Sequence, residues 1–177
     1  IASKYLNSTL ISCDKYIHKL KLIEDNKEKL DITNIQVKEQ DATVNNVLFI
    51  DNFDIVVCDV PCSGIGVIEN KPEIKYKITD AYVTDIAKLQ YQILENSKNY
   101  VKQGGTLMYS TCTIDKRENI QNIEKFLKEN RDFSLENITL NNSIVKSREN
   151  GVLEILPDEY SCDGFFIAKL KKMEEKC

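Results

Sequence analysis

Histidine occurs once, as His18, and none of the six cysteines (Cys13, Cys58, Cys62, Cys112, Cys162 and Cys177) stands in a CxxC pair. Zinc sites draw on Cys and His at short, paired spacings, so no metal centre is expected. Long apolar runs are also missing: none approaches the roughly 20 residues that cross a bilayer, and the chain reads as soluble. The opening residues from Ile1 carry neither an initiating Met nor the charged-then-apolar start of a signal peptide. We therefore expect a longer natural protein, of which residues 1–177 are the C-terminal part of one domain, working in a reducing cytoplasm with free thiols. Glycine is scarce as well: there are six, and the first is Gly64. A cofactor loop of the glycine-rich kind follows the first strand of a nucleotide-binding sheet, so no such loop precedes the acid at Asp14. Finally, no excess of positive charge exists; the net charge is -4. That argues against a domain-wide electrostatic grip on nucleic acid and leaves only local basic patches for the purpose.

What is present alternates strand and helix. Thr9–Cys13 is a short apolar strand ending at Asp14, and the lysine-rich stretch to Lys29 spaces Ile17, Leu20, Leu22 and Ile23 as a helix. Ile35–Lys38 alternates as a half-buried strand leading to Asp41, while Asp54–Asp59 reads as a fully buried parallel strand. Beyond a Pro-Cys-Ser-Gly turn, Ile86, Leu89, Ile93 and Leu94 predict a helix from about Ala81 to Lys102, stopped by Gly104-Gly105. Thr106–Thr111 is another buried strand. Asp115 with Glu118 three residues later predicts a capping-box start for a helix to Asn130. Phe133–Leu140 is expected to be a strand, Asn141–Ser161 a polar connection, and Gly164–Leu170 the final strand. Strands separated by helices predict a mostly parallel, Rossmann-like doubly wound sheet, with ligands at the strand C-termini. Asp14, Asp41, Asp59 and Cys112 all follow strand ends.

Each of these residues has an ordinary reading beside the chemical one. Asp14 is either a helix N-cap or the acid that holds a ribose hydroxyl; Asp41 carries less of a signal. In Asp59-Val60-Pro61-Cys62-Ser63-Gly64-Ile65-Gly66, Pro61 fixes its own φ and biases Val60 toward extended backbone, while the glycines let main chain come close to a ligand. Cys62 is thus either a thiol held rigidly at the sheet edge or a small buried residue, and Cys112 shares that ambiguity. Lys71, Lys75, Tyr76 and Lys77 form a basic stretch with one aromatic, suited to phosphate and base but equally to plain solvation.

Taken together, Asp59–Ile68 followed by Lys71-Pro72-Glu73-Ile74-Lys75 resembles the proline-cysteine motif of the RNA cytosine-5 methyltransferases. Gly104–Thr113 followed by Glu118-Asn119 resembles their threonine-cysteine motif, and Asp163–Leu170 resembles the strand near their C-terminus. The resemblance runs over nearly the whole chain. It is strongest to the bacterial members that act on 16S ribosomal RNA and carry a NusB-like RNA-binding domain upstream.

The resemblance implies a class I S-adenosylmethionine-dependent methyltransferase sheet that lacks its first strand, its cofactor loop and the RNA-binding domain. It implies Cys112 as the residue that attacks carbon 6 of cytosine and Cys62 as the one that assists release. Asp59 and Pro61 then face the base, Lys71 and Lys75 the RNA, and Asp14, Asp41 and Asp59 the cofactor. S-adenosylmethionine is the expected methyl donor and 16S ribosomal RNA the expected partner. The positive end of a helix beginning near Asp115 would favour the thiolate of Cys112. A sheet missing a strand is also expected to bind cofactor poorly and to self-associate through its open edges. Two other readings remain: a transfer RNA cytosine-5 methyltransferase, and a non-catalytic RNA-binding or assembly module.

Overall fold

In the computed structural model, which describes residues 1–139 and 151–174, the chain forms two compact units divided after Val44. The first pairs β1 (Leu10–Asp14) with β2 (Ile35–Glu39) in parallel, joined by α1 (Ile17–Lys29). Parallel strands need such a crossover helix. Asp14 ends β1, and the Gln40 amide donates to its carbonyl, so Asp14 and Asp41 leave the same end of the pair.

The second unit is a five-stranded sheet in the order β3 (Phe53–Asp59), β4 (Val101–Thr111), β7 (Phe165–Lys172), β5 (Phe133–Leu135), with β6 (Val152–Ile155) also on β7. β3 and β4 are parallel, and β7 is antiparallel to β4, β5 and β6. Four strands therefore run one way and β7 alone runs against them, which agrees with the expected mostly parallel sheet. β5 and β6 share one edge of β7 end to end: β5 pairs with residues up to Lys172, and β6 with Phe165 to Ala168.

α2 (Asp80–Ser97) starts at Thr79, whose hydroxyl accepts the Tyr82 amide. It turns Val83, Ala87, Gln90, Leu94 and Ser97 to the interior at the spacing of one helical face. α3 (Ile120–Glu129) does the same with Asn122, Ile123 and Phe126. Leu94, Leu107, Phe126, Phe166 and Leu170 are fully buried here, and each such side chain contributes about 1.5–3 kcal/mol relative to exposure. β3 is different. Expected to be fully buried, it is instead the edge of its sheet, and Ile55 and Val57 are 62% and 49% exposed.

Four further expectations are corrected. The helix expected to reach Lys102 ends at Ser97; a 3-10 turn at Lys98–Tyr100 follows, and Val101 and Lys102 already belong to β4. Tertiary burial overrides the helical pattern there, because Val101 is completely enclosed as a strand residue. Gly104-Gly105 consequently stops nothing: with φ +69 at Gly104, the glycines accommodate a bulge where β4 gains residues against β3. The helix expected from Asp115 begins at Ile120: Asp115 accepts the Arg117 amide, but Glu118 turns its carboxylate to Ser63 instead of back to Asp115. Last, the expected strand Phe133–Leu140 is regular only over Phe133–Leu135, and the expected connection contains β6, which gains the free edge of β7 as a template. Residues 140–150 of those two segments lie outside the described residues.

Candidate active site

Asp59 and Thr111 end neighbouring parallel strands, which delivers the two cysteine segments side by side. The Val60 amide donates to Ser110 O at 3.2 Å, continuing the β3–β4 ladder by one step, after which Pro61 takes the chain off the sheet. Gly64 adopts φ +75, a left-handed conformation that glycine accepts at no steric cost, and turns the segment into a short 3-10 helix. The Gly66 amide then donates to Cys112 O at 3.1 Å, and the Gly164 amide to Gly66 O at 2.7 Å. Three chain segments thus cross at one point.

The crossing has no spare volume. A Cβ on Gly66 would lie 2.5 Å from Gly164 O and 2.8 Å from Cys112 O, both backbone atoms. Gly66→Ala is expected to lower unfolding free energy by about 3 kcal/mol, read as a reduced urea midpoint. A midpoint equal to that of the parent protein would show that the crossing can open without cost.

Within this frame the Cys62 and Cys112 sulfurs are 3.1 Å apart, both partly exposed. Burial pushes the Cys62 thiol up to about 12, helped by the hydrogen bond and the charge of Cys112. Cys62 therefore keeps its proton at neutral pH. Alkylation of Cys62 by iodoacetamide is expected to stay slow from pH 7 to 9 and slower than that of the exposed Cys162; equal rates at pH 8 would contradict this. The expected helix-dipole assistance to Cys112 is not built, since α3 starts at Ile120 and residues 116–119 form turns.

A buried polar net underlies the two thiol segments. Glu118, with 0% exposure, accepts the Ser63 amide at 2.8 Å, the Ser63 hydroxyl at 2.5 Å, the Thr113 hydroxyl at 3.2 Å and Gln90 Nε2 at 2.8 Å. Gln90 Nε2 also donates to Pro61 O at 2.9 Å. Thr111 Oγ1 donates to Asn119 Oδ1 at 2.6 Å, and Asn119 Nδ2 to Thr113 O at 2.9 Å. Gln90 was not singled out in the sequence, and Ser63, Glu118 and Asn119 stood there only as motif or helix-start residues, not as members of a buried net. The signal for them was there in part: polar residues on the apolar face of a helix, as Gln90 is, mark a buried network when their partners are known.

The remaining expected residues stand as follows. The exposed Asp59 accepts the Ser110 hydroxyl at 3.0 Å, next to the thiol segments. Lys71 precedes and Lys75 belongs to a 3-10 turn, Pro72–Tyr76, and both are exposed, with Tyr76 at 91%. Ile74 of that turn packs against Gly64, which fastens the basic stretch to the Cys62 segment. Asp14 and Asp41 belong to the first unit. Asp14 accepts the Tyr16 amide at 2.9 Å and lies 3.5 Å from Lys19 Nζ, but it is not the helix N-cap of the ordinary reading: α1 is capped at Tyr16 without a side-chain bond. The hydroxyl and amide of Thr43 hold the Asp41 carboxyl below the usual range. Among the described residues no helix is long and apolar enough to cross a membrane.

Comparison with known proteins bears on all of this. A family model described as 16S rRNA methyltransferase RsmB/F matches residues 4–171. The chain is 38% identical over 169 residues to the probable ribosomal RNA small subunit methyltransferase B of Bacillus subtilis, covering 93% of this chain and 38% of that protein. It is 32% identical over 177 residues to the ribosomal RNA small subunit methyltransferase F of Vibrio parahaemolyticus, covering 97% and 37%. Among solved structures, NSun6 from Pyrococcus horikoshii with SFG superposes with a TM-score of 0.77 at 26% identity, over 94% of this chain and 42% of that one. The chain thus spans well under half the length of the relatives it matches.

Proposed function

Since this chain belongs to the 16S rRNA methyltransferase RsmB/F family and has the fold of the class I S-adenosylmethionine-dependent methyltransferases, we propose that it is part of an enzyme that methylates carbon 5 of a cytosine in 16S ribosomal RNA through a covalent cysteine adduct. The observation that carries this reading is the pair of thiols 3.1 Å apart at the ends of adjacent parallel strands. One thiol alone would serve as a buried filler; two partly exposed thiols on a braced turn serve chemistry.

Carbon 5 of cytosine is a poor nucleophile. Addition of the Cys112 thiolate to carbon 6 pushes an electron pair onto carbon 5, which can then accept a methyl group. Loss of the carbon 5 proton then returns the electrons, the Cys112 sulfur–carbon bond breaks, and the methylated base leaves. Cys62 lies beside Cys112 and serves this second half. Asp59 and Pro61 meet the edge of the base, with Ser110 orienting the Asp59 carboxylate. Lys71 and Lys75 meet backbone phosphate.

The chemistry also needs a methyl donor. S-adenosylmethionine supplies a methyl group on a sulfonium, and SFG, held by the Pyrococcus relative, is an analogue of it. The residues of the first unit fit the sugar and base of such a molecule: Asp14 and Asp41 are carboxylates leaving the C-terminal end of parallel strands, where nucleoside hydroxyls are bound in sheets of this class. The work is placed in the cytoplasm, where ribosomal RNA is made.

The test is methyl transfer itself. The whole protein is incubated with methyl-labelled S-adenosylmethionine and either 16S ribosomal RNA or transfer RNA, and the RNA is digested to nucleosides. Label in 5-methylcytidine from 16S ribosomal RNA is expected. Label in another nucleoside would overturn the chemistry, and label confined to transfer RNA would overturn the substrate.

A further inference from the structure

Glu118 is a carboxylate sealed from solvent, and the four donors around it are all neutral: an amide, two hydroxyls and a carboxamide. Placing a carboxylate where water cannot reach it costs several kcal/mol unless its hydrogen bonds are met. A merely space-filling position would be cheaper with an apolar residue. What the four donors share is their place in the chain. Two belong to Ser63, adjacent to Cys62; one belongs to Thr113, adjacent to Cys112; one belongs to Gln90 of α2, which also holds the carbonyl of Pro61. The Ser63 and Thr113 hydroxyls additionally meet each other at 2.9 Å. Glu118 is therefore bonded to the residue after each of the two thiols.

We propose that Glu118 is a positioning residue that sets the distance between the Cys62 and Cys112 thiols by clamping Ser63 and Thr113 to one carboxylate. The proposal rests on the two-thiol reading above. Its logic is geometric rather than electrostatic. In Glu118→Gln the remaining carbonyl oxygen can take the Ser63 and Gln90 N–H groups, while the new amide donates to the Ser63 and Thr113 hydroxyls, which turn to accept. All four links survive without the charge. In Glu118→Ala all four are lost, the Ser63 amide is left buried without an acceptor, and the two segments drift apart.

Dibromobimane, which becomes fluorescent when it bridges two close thiols, reads the spacing without RNA or methyl donor. The parent protein and Glu118→Gln are expected to bridge Cys62 to Cys112 at similar rates, the product being located by peptide mapping. Glu118→Ala is expected to bridge at least about tenfold more slowly, in line with loss of hydrogen bonds to a charged group. Leu153→Ala, in β6, lowers stability without touching either thiol segment and is expected to bridge like the parent. Parent-like bridging by Glu118→Ala, or equal slowing by Leu153→Ala, would overturn the clamp. Should Glu118→Ala not fold, Ser63→Ala decides: it removes one of the two Ser63 links and is expected to slow bridging about threefold, and an unchanged rate refutes the proposal. In the methylation assay, Glu118→Ala should lose kcat with KM for RNA held, and Glu118→Gln should restore it. If bridging follows this pattern but even the parent methylates no cytosine, the functional reading has failed and the clamp has not.

Discussion

Cys112→Ala is expected to abolish methyl transfer, with a fall in turnover on the order of 10^4-fold or more, as befits removal of a covalent nucleophile. Nothing near Cys112 can take its place. Cys62, the closest thiol, holds its proton because burial and the Cys112 neighbour push it upward, and it sits on the other cysteine segment. Ser110 and Thr111 hydroxyls are weaker nucleophiles and are engaged with Asp59 and Asn119. The measurement is incorporation of labelled methyl into RNA, with RNA binding followed separately by filter retention. Binding should persist while incorporation disappears, because the substitution removes a sulfur and no phosphate contact. Incorporation within tenfold of the parent would sink the covalent mechanism.

Cys62→Ala is expected to lower turnover by roughly 10^2- to 10^4-fold, the range for loss of an acid–base group, and to accumulate an RNA–protein adduct that survives denaturing electrophoresis. The physical ground is the origin of its raised pKa. Three contributions push the Cys62 thiol up, burial first, then the hydrogen bond and the charge of Cys112, against smaller opposing ones from the Cys112 and Gly64 backbone. When Cys112 is tied up in a carbon–sulfur bond, the two that come from Cys112 vanish. Cys62 then gives up its proton more readily than in the resting protein, at the step where a base is required. An adduct trapped by Cys62→Ala and missing from the double variant with Cys112→Ala would locate both roles. No adduct in the single variant would remove Cys62 from the release step.

The sequence disclosed the site more fully than the architecture around it. Pro61, Gly64 and Gly66 are backbone devices whose meaning is local, so the rigid turn holding Cys62 could be read without knowing its neighbours. The strand Thr106–Thr111 and its terminal Cys112 were legible for the same reason, as a short apolar run bounded by glycine. By contrast, the end of α2 depended on Val101 finding β3 and Lys172 beside it, contacts that no window of the chain displays. β6 was hidden because its pairing exists only once β7 is present. Asp115 and Glu118 have the spacing of a capping box, yet the acceptor-hungry Ser63 lies 55 residues from Glu118 and claims it. Asp115, by contrast, keeps a local bond to the Arg117 amide. Long-range polar pairing, more than hydrophobic pattern, was what escaped local reading.

The meeting of Gly66, Cys112 and Gly164 also dictates a schedule. A ribosome releases the segments in that order, and the last of them is fastened by β7, which wedges between β4 and the β5–β6 edge. Until Phe165–Lys172 has emerged, the sheet lacks the strand between β4 and the β5–β6 edge, and Gly66 lacks the partner that closes the crossing. The nascent polypeptide therefore carries its two thiol segments without the Gly164 closure until β7 has been translated.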